Sequence, residues 1–139
     1  MNNLDAFVGL PYKDKGRDYD GTDCWGLLYL VYRDVLGIHL PTYTGDYQTA
    51  TDYKEIARII DGGKLLWRKI DAPEKPKMFD GVLLRYGRHQ SHVGIFLRHS
   101  SFLHVQEHGH SVVSNLKSPE WRDRVVGFYK FEKENAATH

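Results

Sequence analysis

Residues 20–41 read DGTDCWGLLYLVYRDVLGIHLP and hold the only cysteine in a chain of 139 residues. A polar turn, Asp20-Gly21-Thr22-Asp23, gives way at Cys24 to a strongly apolar run. Thr22 or Asp23 can cap the exposed amides at the start of that run, and Gly37 stands where a left-handed C-cap closes a helix. The spacing therefore predicts a helix over 24–36. Within it Cys24, Leu27, Leu28, Val31 and Val35 follow the i, i+3, i+4, i+7, i+11 pattern of one buried stripe. Cys24 belongs to the core-facing side of this helix, at its amino end. A cysteine so placed is either an inert buried hydrophobe or a thiol activated by the helix terminus and a basic neighbour.

Outward from that helix, residues 1–11 predict a short helix ending at Pro11, and the Gly-punctuated polar stretch 12–23 predicts a loop. A second helix is expected over 53–60, with Asp52 and Glu55 in capping-box positions and Gly62-Gly63 as its stop. Residues 65–67 suggest a short strand and 73–77 a surface connection. After Met78 the texture changes. Residues 82–84, 92–97, 102–106, 111–116 and 125–131 are short, β-rich and separated by turn residues. Helices first and strands afterwards predict an α+β fold, its N-terminal helices packed on an antiparallel β-sheet. Residues 1–131 read as a single domain and 132–139 as a flexible polar tail.

Composition narrows the chemistry. The formal charge of +1, from 19 basic and 18 acidic residues, gives no general reason to expect a nucleic-acid partner. No apolar run approaches the roughly 20 residues of a membrane span, so no membrane insertion is expected. The start, Met1-Asn2-Asn3-Leu4-Asp5, lacks the basic and apolar regions of a secretory signal, and synthesis in the cytosol is the expectation. A lone cysteine excludes an internal disulfide and a cysteine-clustered zinc site. His104, His108 and His110 have no acidic or thiol partner at ligand spacing, so no metal and no cofactor are expected.

Two histidines stand out in the strand-rich half. In SHVGIFLRHSSFLHVQ, residues 91–106, strand alternation places His92 with Gly94 and Phe96, and His104 with Phe102 and Gln106. A hairpin turning near His99-Ser100 sets His104 opposite Gly94, one diagonal step from His92. Such neighbours lie about 7–8 Å apart at the backbone, and Gly94 offers no side chain to block the approach. If the helix packs on the face carrying His92, its thiol meets the imidazole. A helix terminus and an adjacent imidazolium would lower the thiol pKa, and the imidazolium would then protonate a leaving amine. His104 is then either an orienting partner of His92 or a satisfied core histidine; His89 and His99 read as turn residues.

At this point the segments PYKDKGRDYDGTDCWGLLYLVYRDVLGIHLP, FDGVLLRY and SHVGIFLRHSSFLHV resemble the NlpC family of papain-like cell-wall cysteine peptidases. The resemblance runs from about Leu10 to Val105. It implies a nucleophile at Cys24, a base at His92 and a third, polar member at His104. It also implies a tyrosine beside the nucleophile at Tyr12 and a substrate-pocket residue at Asp23. Trp25 follows the cysteine where exported members usually carry serine, which places it in the substrate pocket as well. Tyr12 can equally cap a hydrophobic cluster, and Asp23 is a competent N-cap. The closing WRDRVVGFYKF, residues 121–131, resembles the small bacteriophage tail-associated members. For these the resemblance implies cleavage of γ-D-glutamyl-diaminopimelate links in peptidoglycan stem peptides, with other phage tail-tip proteins as partners. It implies a virion location in the tail, after synthesis in the host cytoplasm, and action at the periplasm or cell wall. The alternative is a structural tail-tip, plug or assembly subunit that keeps the fold.

Overall fold

Period-two alternation in the C-terminal half yields a six-stranded sheet. The computed structural model describes residues 4–41, 67–86 and 89–132. In chain order the strands are β1 (Arg17–Asp18), β2 (Gly21–Thr22), β3 (Trp67–Lys69), β4 (Gly81–Tyr86), β5 (His89–Phe96), β6 (Ser101–His104), β7 (Val112–Asn115) and β8 (Val125–Phe131). The large sheet runs in the order β3-β8-β4-β5-β6-β7, antiparallel throughout. β1 and β2 form a separate two-residue ribbon inside the stretch expected to be a loop. His89, expected in a turn, lies in β5 opposite Tyr86. The helix expected over 53–60 and the tail beyond 132 fall outside the described residues.

The helix begins where it was expected and changes character before it ends. α1 spans Cys24–Val31, and a wider π turn, Tyr32–Leu36, carries the chain to Gly37 at φ 69°. Seven of the eight α1 residues are buried, Trp25, Gly26 and Leu30 among them, so the single stripe was too narrow a reading. Loop 13–18 covers the other side. A Cβ on Gly26 would stand 2.0 Å from the Gly16 carbonyl oxygen, closer than any real contact, so glycine there lets loop and helix touch. A helix apolar all round is one covered all round.

Each face of the sheet has its own core. Val93, Ile95, Leu103 and Val105 pack with Leu27, Leu28 and Val31 of α1. On the opposite face Val82, Leu84 and Phe102 pack with Leu116 and Trp121. Leu84 pairs with His92, which puts His92 on the second face. The helix therefore covers the face opposite His92, so the condition under which the thiol would meet the imidazole on a shared face is not the packing formed. Thiol and imidazole do not approach each other on one face of the sheet.

The expected helix over 1–11 shrinks to one 3-10 turn, Asp5–Phe7. Gly9, at φ 90°, and Pro11 end it. The chain then runs extended against residues 109–111: Gly9 N–H donates to Ser111 O at 2.8 Å, Ser111 N–H to Leu10 O at 2.8 Å, and Tyr12 N–H to Gly109 O at 3.0 Å. Buried Ser111 completes the clasp, its Oγ accepting from Leu10 N–H at 2.8 Å and donating to Phe7 O at 2.5 Å. This anchor sets where Tyr12 stands. Among the described residues no helix is long and apolar enough to cross a membrane.

Candidate active site

Asp23 fixes the start of α1. Its buried carboxylate accepts from Gly26 N–H at 2.8 Å, as an N-cap does, and through its other oxygen from Lys15 N–H at 2.9 Å. Arg17 Nη1 lies 2.8 Å from the same oxygen that caps the helix. One side chain thus ties loop, ribbon and helix together, and its role in the fold is that of a cap. Cys24 follows directly and is 7% exposed. Its sulfur accepts from the amides of Val93 and Trp25. The Val93 contact holds the thiol against β5, one residue along the chain from His92.

His92 and His104 meet as the hairpin register requires. Ile95 pairs with Leu103 and Phe96 with Phe102, which sets Gly94 against His104. The turn falls at His99-Ser100, both at positive φ. A Cβ on Gly94 would come within 3.3 Å of His104 Cβ and 2.8 Å of the Phe102 ring. Across that gap His92 Nε2 and His104 Nδ1 are 2.8 Å apart. His104 Nε2 is in turn 2.8 Å from Ser114 Oγ. Both imidazoles are buried against aromatic rings. Trp121 stacks on His92 at 5.7 Å and 18°, and meets His104 edge-on at 4.9 Å. Phe102 stacks on His104 at 4.2 Å.

Burial governs the protonation states. It pushes the Cys24 thiol up to about 12, with the Asp23 charge adding to the rise. It holds His92 down at about 3, aided by His104 and Arg124, and His104 at about 4. Burial thus favours the neutral thiol and the neutral imidazoles, against the thiolate that the helix start and an imidazolium would favour. Helix terminus and amides favour the anion, but desolvation outweighs them. A proton passed from sulfur to imidazole creates two opposite charges together, and their attraction offsets a penalty that neither charge alone could meet.

These shifts carry a stability consequence. The native state keeps both histidines neutral, whereas the unfolded chain takes up protons below about pH 6.5. Stability is fully present above that pH and is lost as pH falls toward 4, each histidine adding a slope of up to about 1.4 kcal/mol per pH unit. Urea midpoints at pH 7, 5.5 and 4.5 should fall progressively, and His92→Leu should flatten the fall. A midpoint level from pH 7 to 4.5 contradicts neutral burial of the pair.

Tyr12 is half-buried, its hydroxyl donating to Asp14 Oδ1 at 2.9 Å. Burial and Asp14 raise its pKa, and Cys24 and Asp23 are close enough to add to the rise. It thus stands beside the thiol, where the sequence placed it. Trp25 turns inward instead. Its indole N–H donates to Pro41 O at 2.8 Å, its ring meets Trp67 edge-on, and together with Leu28, Leu83 and Val93 it lines a small apolar cavity. Sequence reasoning missed Trp121 and Ser114. Trp121 had no periodicity to place it, since it lies in the turns before β8. Ser114 was readable in principle as a β7 residue one diagonal step from His104, given that His104 pairs with Val112.

Comparison with known proteins agrees with this architecture. The profile of the NlpC/P60 family matches residues 9–130. The chain is 26% identical over 124 residues to the murein DD-endopeptidase MepS/murein LD-carboxypeptidase of Escherichia coli K12, covering 89% of this chain and 57% of that one. It is 25% identical over 133 residues to a gamma-DL-glutamyl hydrolase of Bacillus subtilis, covering 95% of this chain and 29% of the relative. The chain thus spans between about a third and about a half of these curated relatives. A crystal structure of an NlpC/P60 family protein from Bacillus cereus superposes with a TM-score of 0.64 at 19% identity, covering 90% of this chain and 36% of that one. A helix packed on an antiparallel sheet is their shared fold, as the sequence resemblance implied.

Proposed function

This chain belongs to the NlpC/P60 family, and from that premise we propose that it is a cysteine peptidase of peptidoglycan that cuts γ-D-glutamyl-diaminopimelate links in stem peptides. The observation that carries the reading is the hydrogen-bonded His92–His104 pair, with the Cys24 sulfur accepting from N–H of Val93, the residue after His92. The bond assignment is supported by the sequence resemblance, by a relative named as a gamma-DL-glutamyl hydrolase and by another named as a murein endopeptidase.

In this reading Cys24 is the nucleophile, His92 the general base and acid, and His104 the residue that orients His92. Sγ attacks the amide carbonyl carbon as its proton passes to His92 Nδ1. The first-turn amides of α1 lie next to the developing oxyanion. Collapse breaks the C–N bond, and His92 returns the proton to the departing amine, leaving a thioester. Water then attacks the thioester with His92 taking its proton, the C–S bond breaks, and the thiol is restored. No metal or cofactor enters these steps. Tyr12, Asp23 and Trp25 are assigned to the substrate side: Tyr12 directly beside the thiol, Asp23 through the helix start it caps, Trp25 through the floor it forms beneath Val93.

The setting we propose is a bacteriophage tail, with tail-tip proteins as partners and the cell wall as the place of action. Its support is the likeness of residues 121–131 to tail-associated members. Detection of this chain in purified tail particles by mass spectrometry tests it, and particles consistently lacking it would refute it.

Defined muropeptides incubated with the protein and analysed by mass spectrometry test the activity. Products split between glutamate and diaminopimelate, and absent after the thiol is alkylated, support the proposal. Cleavage at another bond would keep the peptidase and replace the substrate. Peptides left intact by the untreated protein, alone and within its assembled particle, would overturn the reading in favour of a structural subunit.

A further inference from the structure

The hydrogen bonds leaving His104 impose a condition on the pair. A neutral His92 that is to take a proton on Nδ1 must carry its own proton on Nε2. That N–H then donates to His104 Nδ1, 2.8 Å away. His104 must in consequence carry its proton on Nε2, which points at Ser114 Oγ, also 2.8 Å away. The opposite arrangement, with the serine hydroxyl donating to His104 and His104 donating to His92, leaves the His92 proton on Nδ1, where no second proton can be accepted. Trp121 packs on both imidazoles and Phe102 on His104, and His92 and His104 are 4% and 1% exposed, so the choice is made by the groups that touch them.

We propose that Ser114 is a positioning residue: by accepting from His104 Nε2–H it completes the tautomer chain that leaves His92 Nδ1 open to a proton. The proposal rests on His92 being the base. When His92 becomes an imidazolium, both its nitrogens carry protons, and the same direction of donation is enforced through His104 to the serine. The serine hydroxyl suits this because it sits on edge strand β7 at intermediate exposure. Its own proton can turn toward solvent while its lone pair faces the buried ring. Without an acceptor there, His104 Nε2–H is an orphaned donor in an apolar pocket, and the pair is driven toward the tautomer that cannot act.

The isosteric pair Ser114→Thr and Ser114→Val tests this, since both are at home in a strand and differ by hydroxyl against methyl. Nitrogen-15 NMR of the imidazoles at pH 7, without substrate, reads the tautomers directly. The wild type and Ser114→Thr should show His92 protonated on Nε2, and Ser114→Val should move population to Nδ1–H. Turnover on a cleaved muropeptide should fall about 10- to 100-fold in Ser114→Val, in kcat rather than KM, and recover in Ser114→Thr. Identical nitrogen spectra in all three proteins, or Ser114→Val turning over as fast as wild type, would overturn the proposal. The spectra need no activity, so a failure of the peptidase reading would appear as an inactive wild type, separate from a failure of the tautomer chain.

Discussion

Cys24→Ser is expected to abolish turnover, by at least about four orders of magnitude, while leaving the fold in place. The two substitutions of property cancel in structure and not in chemistry. A serine hydroxyl is smaller than a thiol and can still accept from Val93 N–H and Trp25 N–H, the two amides that hold the sulfur. Its neighbours therefore keep their partners, and the thermal midpoint should move by no more than a few degrees. Chemically the exchange is severe. The thiol proton is already hard to remove in this site, where burial raises the pKa to about 12. An alcohol is several units less acidic than a thiol to begin with, and burial lowers the basicity of His92, so the proton is harder still to pass. Muropeptide turnover followed by mass spectrometry, with circular dichroism melting as the control, reads both halves. A serine variant that retains a tenth of wild-type activity would remove Cys24 from the role of nucleophile. One that is inactive because it is unfolded would fail the melting control and call for Cys24→Ala.

Trp121→Ala should be the most damaging single substitution to stability among the residues around the site. The indole is 1% exposed and touches His92, His104 and Phe102 at centroid distances of 5.7, 4.9 and 5.6 Å. Its removal forfeits the transfer free energy of a large aromatic and opens a cavity against a sheet that cannot collapse around it, a loss of about 3–5 kcal/mol. For a domain of this size that corresponds to a fall of roughly 10–15 °C in thermal midpoint. The effect on chemistry follows from the same contact. With the stacking surface gone, water reaches His92, its pKa rises toward the ordinary histidine range, and the ring is no longer held in the plane that serves both sulfur and His104. Activity measured well below the midpoint should fall along with stability. Trp121→Phe, which keeps a ring at the stacking position, should fall between the two. A Trp121→Ala protein melting within 3 °C of wild type would show that the segment 116–124 repacks and that the indole is not the lid of the histidine pair.

Much of the site was legible because it depends on spacings the chain itself sets. Asp23, Cys24 and Gly37 are local signals: a cap, the first turn, and a left-handed stop at φ 69°. The His92–His104 encounter follows from a hairpin whose turn residues, His99 and Ser100, are visible in the sequence, and from a glycine at the one place where a side chain would hold the strands' histidines apart. Register along a hairpin is a counting problem, and counting needs no tertiary information.

What sequence reading misjudged or missed depends on contacts far apart along the chain. Residues 1–11 looked helical in isolation, but Ser111, 101 residues from its partner Leu10, binds them as an extended segment. The α1 stripe looked one-sided because nothing local says that Gly16 will press on Gly26. The same limit hid Trp121, and it left open which face of the sheet α1 covers. Protonation depends on such contacts too: a helix start and a neighbouring imidazole argue for a thiolate, while the burial that opposes it is a property of the assembled core. The sequence by itself determined the capped helix start at Cys24, the His92–His104 encounter and the α+β class, because capping, alternation and hairpin register are short-range rules. Only the tertiary structure decided the burial that opposes charge on those residues, the aromatic rings around the histidines and the serine behind them, because desolvation and packing are sums over the whole fold.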